Sequence, residues 1–159
     1  MMLKFFRYLL IGSCVFVLSC QSPHEKDEDL SFAQKKDFSK AASFNVQLGM
    51  GYLKQGNRSR AKKKLLTALK QQPNSPEVNA ALGYYFEQTT ELEQARSYYQ
   101  KAINLSSHSG AQLNNYGTFL CRQGNYAEAE KYFLKAVADM QYVNTAAAYE
   151  NAGLCSMEI

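Results

Sequence analysis

The sequence predicts an all-α superhelix of helix-turn-helix repeats. The prediction rests on columns of like residues 34 apart. Gly49, Gly83 and Gly117 form one, Ala61, Ala95 and Ala129 a second, and Ala68, Ala102 and Ala136 a third. Large apolar residues keep the same offset, as in Leu48, Leu82 and Tyr116, or Tyr52, Phe86 and Leu120, or Leu65, Tyr99 and Phe133. A fixed period of this length marks stacked units that bury their apolar faces on their neighbours. Composition agrees. With 159 residues, 46% apolar and 20% charged, the chain can build one domain or a short array. Nine Gly and three Pro exclude collagen-like and Pro-rich chains, and a net charge of +4 does not by itself imply nucleic acid.

Taken in order, residues 1–19 read as an export signal. Lys4 and Arg7 form a basic head, and the apolar run Tyr8 to Leu18 is too short to span a bilayer comfortably. Its end, Val17-Leu18-Ser19-Cys20, resembles the bacterial lipobox, which makes Cys20 the expected acylated first residue; Ile11-Gly12-Ser13-Cys14 fits locally but leaves too short an apolar core. Removing the signal leaves a charge of +2. A multiply acylated Cys is a durable anchor. Gln21 follows it; in Gram-negative lipoproteins an Asp there resembles an inner-membrane retention signal, so Gln21 points to the outer membrane. Residues 20–41 read as a flexible tether with a short helix near Ser31–Lys40, and some 20 residues of coil span on the order of 25 Å. His24 reads as solvated linker.

Helices are expected at about 42–55 and 58–71 (repeat 1, residues 42–75), 76–89 and 92–105 (repeat 2, residues 76–109), and 110–123 and 126–140 (repeat 3, residues 110–143). A seventh, 144–156, begins an incomplete repeat 4 (residues 144–159). Apolar residues at three- and four-residue spacing give each helix a buried stripe. Gln55-Gly56-Asn57 and Gln123-Gly124-Asn125 supply turns. Pro73-Asn74-Ser75-Pro76 ends one repeat and opens the next. Gly in each first helix and Ala in each second helix stand where two helices come close. The Tyr-rich columns read as core packing.

Leu48-Gly49-x2-Tyr52, Ala61-x3-Leu65, Ala68 and Pro73 resemble the tetratricopeptide repeat pattern. The later copies depart from it at the final Pro, replaced by Ser107 and Gln141, and Thr90 stands where Gly is usual. Asn45, Asn79 and Leu113 stand where the pattern leads with Trp. Leu113-Asn-Asn-Tyr-Gly-Thr-Phe-Leu-Cys121 and Asn151-Ala-Gly-Leu-Cys155, together with the lipoprotein signal, resemble the type IV pilus biogenesis and stability lipoproteins (the PilF/PilW family). The resemblance implies an outer-membrane-anchored, monomeric scaffold facing the periplasm of a Gram-negative bacterium. It implies a pilotin role: binding a secretin or other pilus-machinery protein, and assisting secretin assembly or pilus stability. The alternative is a lipoprotein adaptor that recruits periplasmic enzymes such as peptidoglycan hydrolases. Family members run for several more repeats, so the chain is expected to be C-terminally truncated, with a shortened groove.

In such repeats the first helices line a concave groove. The groove slots put Lys54, Tyr84, Gln88, Asn114, Thr118 and Arg122 forward as partner-binding residues, with Glu87 a further groove-facing slot of copy two and Asn115 expected to bond between helices. Val46 and Met50 occupy positions where a carboxylate clamp needs Lys and Asn, which disfavours that mode. Cys121 and Cys155 remain as an even pair on neighbouring first helices; they either form a disulfide or stay as two small buried hydrophobes. Lys54, Arg58, Arg60, Lys62, Lys63, Lys64 and Lys70 form an acid-free basic stretch, either a solvated face or a contact for an anionic membrane or acidic partner. No Gly-x-Ser-x-Gly elbow, His-Glu-x-x-His or phosphate loop is present, and His24 and His108 stand 84 residues apart. No catalytic residue, metal, cofactor or nucleic-acid partner is therefore expected.

Overall fold

The computed structural model describes residues 24–158; the signal segment and Cys20 lie outside the described residues. Seven helices follow one another: α1 (His24–Lys54), α2 (Arg58–Gln71), α3 (Pro76–Gln88), α4 (Leu92–Leu105), α5 (Gly110–Arg122), α6 (Tyr126–Ala138) and α7 (Thr145–Ser156). α1 with α2, α3 with α4 and α5 with α6 form antiparallel hairpins. The first helices α1, α3, α5 and α7 stack side by side. α2, α4 and α6 each pack on their own first helix and on the next one, and among the described residues they do not contact one another. The result is an all-α tetratricopeptide-type superhelix.

The glycine column sets the spacing within each hairpin. A Cβ built on Gly49 would lie 2.7 Å from Leu65 Cγ, one on Gly83 2.9 Å from the Tyr99 ring, and one on Gly117 2.8 Å from the Phe133 ring. Leu65, Tyr99 and Phe133 are themselves buried. Each is the residue 16 positions on, so the same glycine-on-side-chain contact occurs three times. A methyl at any of the three glycines would overlap a close-packed neighbour.

The three hairpin turns are also alike. Asn57 N–H donates to the Tyr52 carbonyl, Glu91 N–H to Phe86 and Asn125 N–H to Leu120, at 2.8–2.9 Å. This is the six-to-one bond of a Schellman ending, which requires a left-handed residue just before it. Gly56 (φ 76°) and Gly124 (φ 77°) meet that need without cost, whereas Thr90 adopts φ 64° with a β-branched side chain. The substitution noted in the sequence is therefore a point of backbone strain. Because that residue leaves the helical region, α3 and α5 end one residue earlier than expected.

The joints between repeats differ more. Ser75 caps α3, accepting from Val78 N–H at 3.3 Å, and Pro76 fills the first turn. Asn79, buried at the position of the missing Trp, donates to the Pro73 and Ser75 carbonyls at 3.1 and 2.7 Å and so ties the joint to α3. At the next joint Ser107 and His108 replace Pro73 and Asn74, and both adopt positive φ (51° and 65°). Without the proline ring to hold φ near −65°, the chain takes a different path. α5 then gets its cap from a distant loop: Gly110 N–H donates to Asp139 Oδ2 at 2.6 Å, 29 residues later.

α1 begins at His24, about 18 residues before the expected start, and so runs through most of the segment read as a tether. No Gly or Pro stands between His24 and Leu48 to stop it. Ala42 is the first described residue to be buried, and the repeat core starts there.

Thr90→Gly is expected to stabilise the chain by about 1 kcal/mol, the relief of left-handed strain less the extra freedom of an unfolded glycine. A shift of the urea midpoint at unchanged slope checks this. Asp139 supplies a pH dependence. Its bond from Gly110 N–H holds its carboxyl below the usual carboxylate range, helped by Gln141 N–H. The stability from this depressed pKa is complete above the ordinary value of about 4 and disappears as pH falls through the lower folded value. Asp139→Ala should lower the midpoint at neutral pH and flatten its fall on acidification.

Candidate functional site

The first helices line a concave hollow of about 530 Å³. Val46 and Met50 of α1 with Ala80 and Ala81 of α3 form a mostly apolar end, edged by Glu77, and Asn114, Asn115, Thr118 and Arg122 of α5 with Asn151 of α7 form a polar end. Tyr84 lies between them. An apolar wall with a few placed donors and acceptors suits an amphipathic segment that buries one face and is oriented by polar contacts at one end.

Of the six residues put forward from sequence, the structure brings Tyr84, Asn114, Thr118 and Arg122 together around this hollow. Lys54 and Gln88 are exposed and lie outside its lining. Asn114 rather than Asn115 makes the bond between helices: Asn151 Nδ2 donates to Asn114 Oδ1 at 3.0 Å, from α7 to α5. Asn115 also lines the hollow, but its amide bonds within α5, to Gln112, and not to another helix. Thr118 donates to the Asn114 carbonyl at 2.8 Å, which fixes its hydroxyl along the helix.

Beneath the polar end lies a charged cluster. The Glu87 side chain is 4% exposed, and Arg122 sits on it with Nε on Oε1 and Nη2 on Oε2, the latter at 2.8 Å. Tyr99 of α4 donates its hydroxyl to Oε2 at 3.0 Å. Burial, reinforced by the adjacent Glu87 charge, raises the Tyr99 phenol far above its ordinary pKa, so it remains a donor. The hydrogen bond to Glu87 raises Arg122. The guanidinium also lies 5.9 Å from the centre of the Tyr84 ring. Arg122 is thus held in a two-point clasp from repeat 3 to repeat 2, with one edge turned to the hollow. It offers a partner a fixed donor with much of its charge neutralised.

Repeat averaging hides Glu87, because its column holds Leu53 in copy one and Cys121 in copy three. An acid in an otherwise apolar column was the available signal. The same column continues to Cys155, and Cys121 and Cys155 are joined in a disulfide with Cα atoms 5.7 Å apart. The bond links α5 to α7 beside a second hollow of about 320 Å³, which shares Thr118, Arg122 and Asn151 with the first. Closing a loop of this length contributes roughly 3–4 kcal/mol through the unfolded chain. Among the described residues no group of three or more His, Cys, Asp or Glu could hold a metal, and no helix is long and apolar enough to cross a membrane.

Two family models, each of the tetratricopeptide repeat, match residues 46–112 and 110–141. The chain belongs to the tetratricopeptide repeat family. Within that family it is PilF/PilW-like. It is 40% identical over 114 residues to the type IV pilus assembly protein PilF of Pseudomonas aeruginosa, covering 72% of this chain and 45% of that protein. It is 37% identical over 116 residues to an uncharacterized protein of Haemophilus influenzae, covering 73% and 65%. Among solved structures, Pseudomonas aeruginosa PilF superposes with a TM-score of 0.69 at 38% identity, over 77% of this chain and 55% of that one. PilW, described as a widely conserved type IV pilus biogenesis factor, gives 0.66 at 29% identity, over 74% and 54%. The chain therefore spans about half to two thirds of the length of these relatives.

The buried clasp in this tetratricopeptide groove makes a directional prediction. Arg122→Ala leaves the Glu87 carboxylate buried without its cation and should cost about 3 kcal/mol in urea unfolding, near the low end for a broken buried pair because part of the guanidinium is in water. Adding Glu87→Gln to that variant should recover part of the loss, since the buried charge is then gone.

Proposed function

We propose that this chain is an outer-membrane-anchored scaffold of type IV pilus biogenesis that captures a segment of a pilus-machinery protein, a secretin in the leading case, in its concave hollow. The observation that carries the reading is the hollow itself, apolar at one end and polar at the other, on a chain 40% identical to a type IV pilus assembly protein. Cys20, acylated, would hold the chain at the membrane. Tyr84 would supply a rigid aromatic contact, and Asn114, Thr118 and Arg122 would orient the segment by hydrogen bonds. Such a scaffold acts by binding, raising the local concentration of its partner at the membrane while subunits assemble. No bond is made or broken in this role.

Gel analysis of secretin multimers in outer-membrane fractions of the source bacterium tests it. Multimers should fall on deletion of the gene and return with the wild-type chain, but not with Cys20→Ala. Tyr84→Ala should restore them only in part while leaving the chain folded and fractionating with the membrane. Unchanged multimers in the deletion strain would overturn the secretin role.

A further inference from the structure

We propose that the outer face of repeat 1 is a docking surface for an anionic lipid bilayer. Two independent features of that face point to the same occupant. The first is charge. Between Phe38 and Ser75 the chain carries eight Lys and Arg and no Asp or Glu, whereas residues 76–158 carry nine acids against five bases. Arg58, Arg60, Lys62, Lys63 and Lys70 of α2 are exposed, and among the described residues none of them forms an ion pair.

The second feature is an apolar stripe on α1. Phe44 is 65% and Leu48 47% exposed, and with Tyr52 they stand four residues apart on one side of the helix. Val46 and Met50 point instead to the concave hollow, so the stripe faces away from the groove. Arg60 of α2 lies over the Tyr52 ring at 5.7 Å, which joins the stripe to the cationic helix. Lys63 and Lys64 follow at three and four residues, on the same side of α2 as Arg60. One surface therefore presents aromatic and aliphatic side chains bordered by a row of cations.

That combination discriminates between partners. Leu48 and Tyr52 stand in the columns whose later members Leu82, Tyr116, Phe86 and Leu120 are buried between repeats, so the stripe is the stacking face of the first repeat, exposed at Phe44 and Leu48; an acidic protein would use the cations with no need for that adjoining strip. A bilayer with anionic headgroups uses both: apolar side chains enter the headgroup boundary while lysine and arginine stay at the phosphates. The placement also fits. Repeat 1 is the unit nearest Cys20 along the chain, and α1 begins only four residues after that cysteine. Docking would turn the first repeat toward the membrane and leave the hollow, which opens on another side, free for its partner. This last point rests on the anchoring proposed above, whereas the lipid affinity of the face does not.

Footprinting of lysines by an acetylating reagent tests the proposal. The full chain, purified in its lipidated form, is reconstituted in vesicles of phosphatidylcholine alone or of three parts phosphatidylcholine to one part phosphatidylglycerol. Lys63, Lys64 and Lys70 should be protected several-fold in the anionic vesicles only, with Lys101 and Lys131 unprotected in both. The protection should vanish in about 0.5 M salt, where charges are screened within a few ångströms. A combined Arg60→Gln, Lys63→Gln and Lys64→Gln variant should weaken docking by about 100-fold at the level of one kcal/mol per cation, and Phe44→Ser with Leu48→Ser should weaken it with the charges intact. Circular dichroism confirms that both variants fold. Equal labelling in the two vesicle types overturns the proposal. So does protection that appears only in native envelopes, which assigns the face to an acidic protein, or protection that appears with rising protein concentration without lipid, which assigns it to a second copy. Mass analysis of the N-terminal peptide reports acylation separately. If it is unacylated, the anchoring reading fails, and flotation of the chain with the anionic vesicles still decides the affinity of the face.

Discussion

The contact between a helix without a side chain and the large residue laid against it governs this structure. Gly49 on Leu65, Gly83 on Tyr99 and Gly117 on Phe133 bring each pair of helices to one separation. Equal separation makes each hairpin a copy of the last, and copies can stack with a constant rotation. Once they stack, a residue in one first helix faces the residue 34 positions on. The column Leu53, Glu87, Cys121 and Cys155 is therefore a line of neighbours in space. Neighbours in that line become a disulfide at Cys121–Cys155, while Glu87 is held by Arg122, one place beyond its partner slot.

The cross-links give the groove its polarity. At the first joint, α1 and α3 meet through apolar side chains, and the hollow is lined there by Val46, Met50, Ala80 and Ala81. At the later joints the cross-links include the ionic clasp, the disulfide, the Asn151–Asn114 amide pair and the bonds from Arg96 and Gln100 to the Tyr116 hydroxyl, and the lining is polar. The chemistry joining the repeats is thus the chemistry that a segment lying in the groove would meet. Arg122 belongs to both sets, which makes it a structural residue with one edge facing the groove.

Most of the fold was legible because it repeats. α2 and α4 occupy the spans 58–71 and 92–105 that the columns predict, and the turns fall at Gly56, Thr90 and Gly124. What escaped is what does not repeat. Residues 24–41 have no counterpart column, so a reading based on periodic apolar residues stopped at 42 although the chain contains nothing to end a helix there. Glu87 looked like one more groove slot, since only a three-dimensional arrangement reveals a tyrosine from α4 and an arginine from α5 closing over it. Asn114 and Asn115 are adjacent and chemically identical, and a turn of 100° between them decides which one reaches α7.

The uneven joints also set how the superhelix carries a load. Repeats 2 to 4 are fastened in series by a two-point ionic clasp and a covalent bond, whereas repeat 1 is held to repeat 2 by side-chain packing and the Asn79 bonds to the Pro73 and Ser75 carbonyls, with Lys62 lying 5.5 Å from the Phe86 ring across that joint. If the chain is held at its N-terminal end and pulled through its groove, tension passes along α1 and reaches the packed joint first. That joint can bend, while the block beyond it moves as one piece. Under such a pull the chain would behave as a rigid claw on a compliant wrist, with the joint between repeats 1 and 2 taking up the movement.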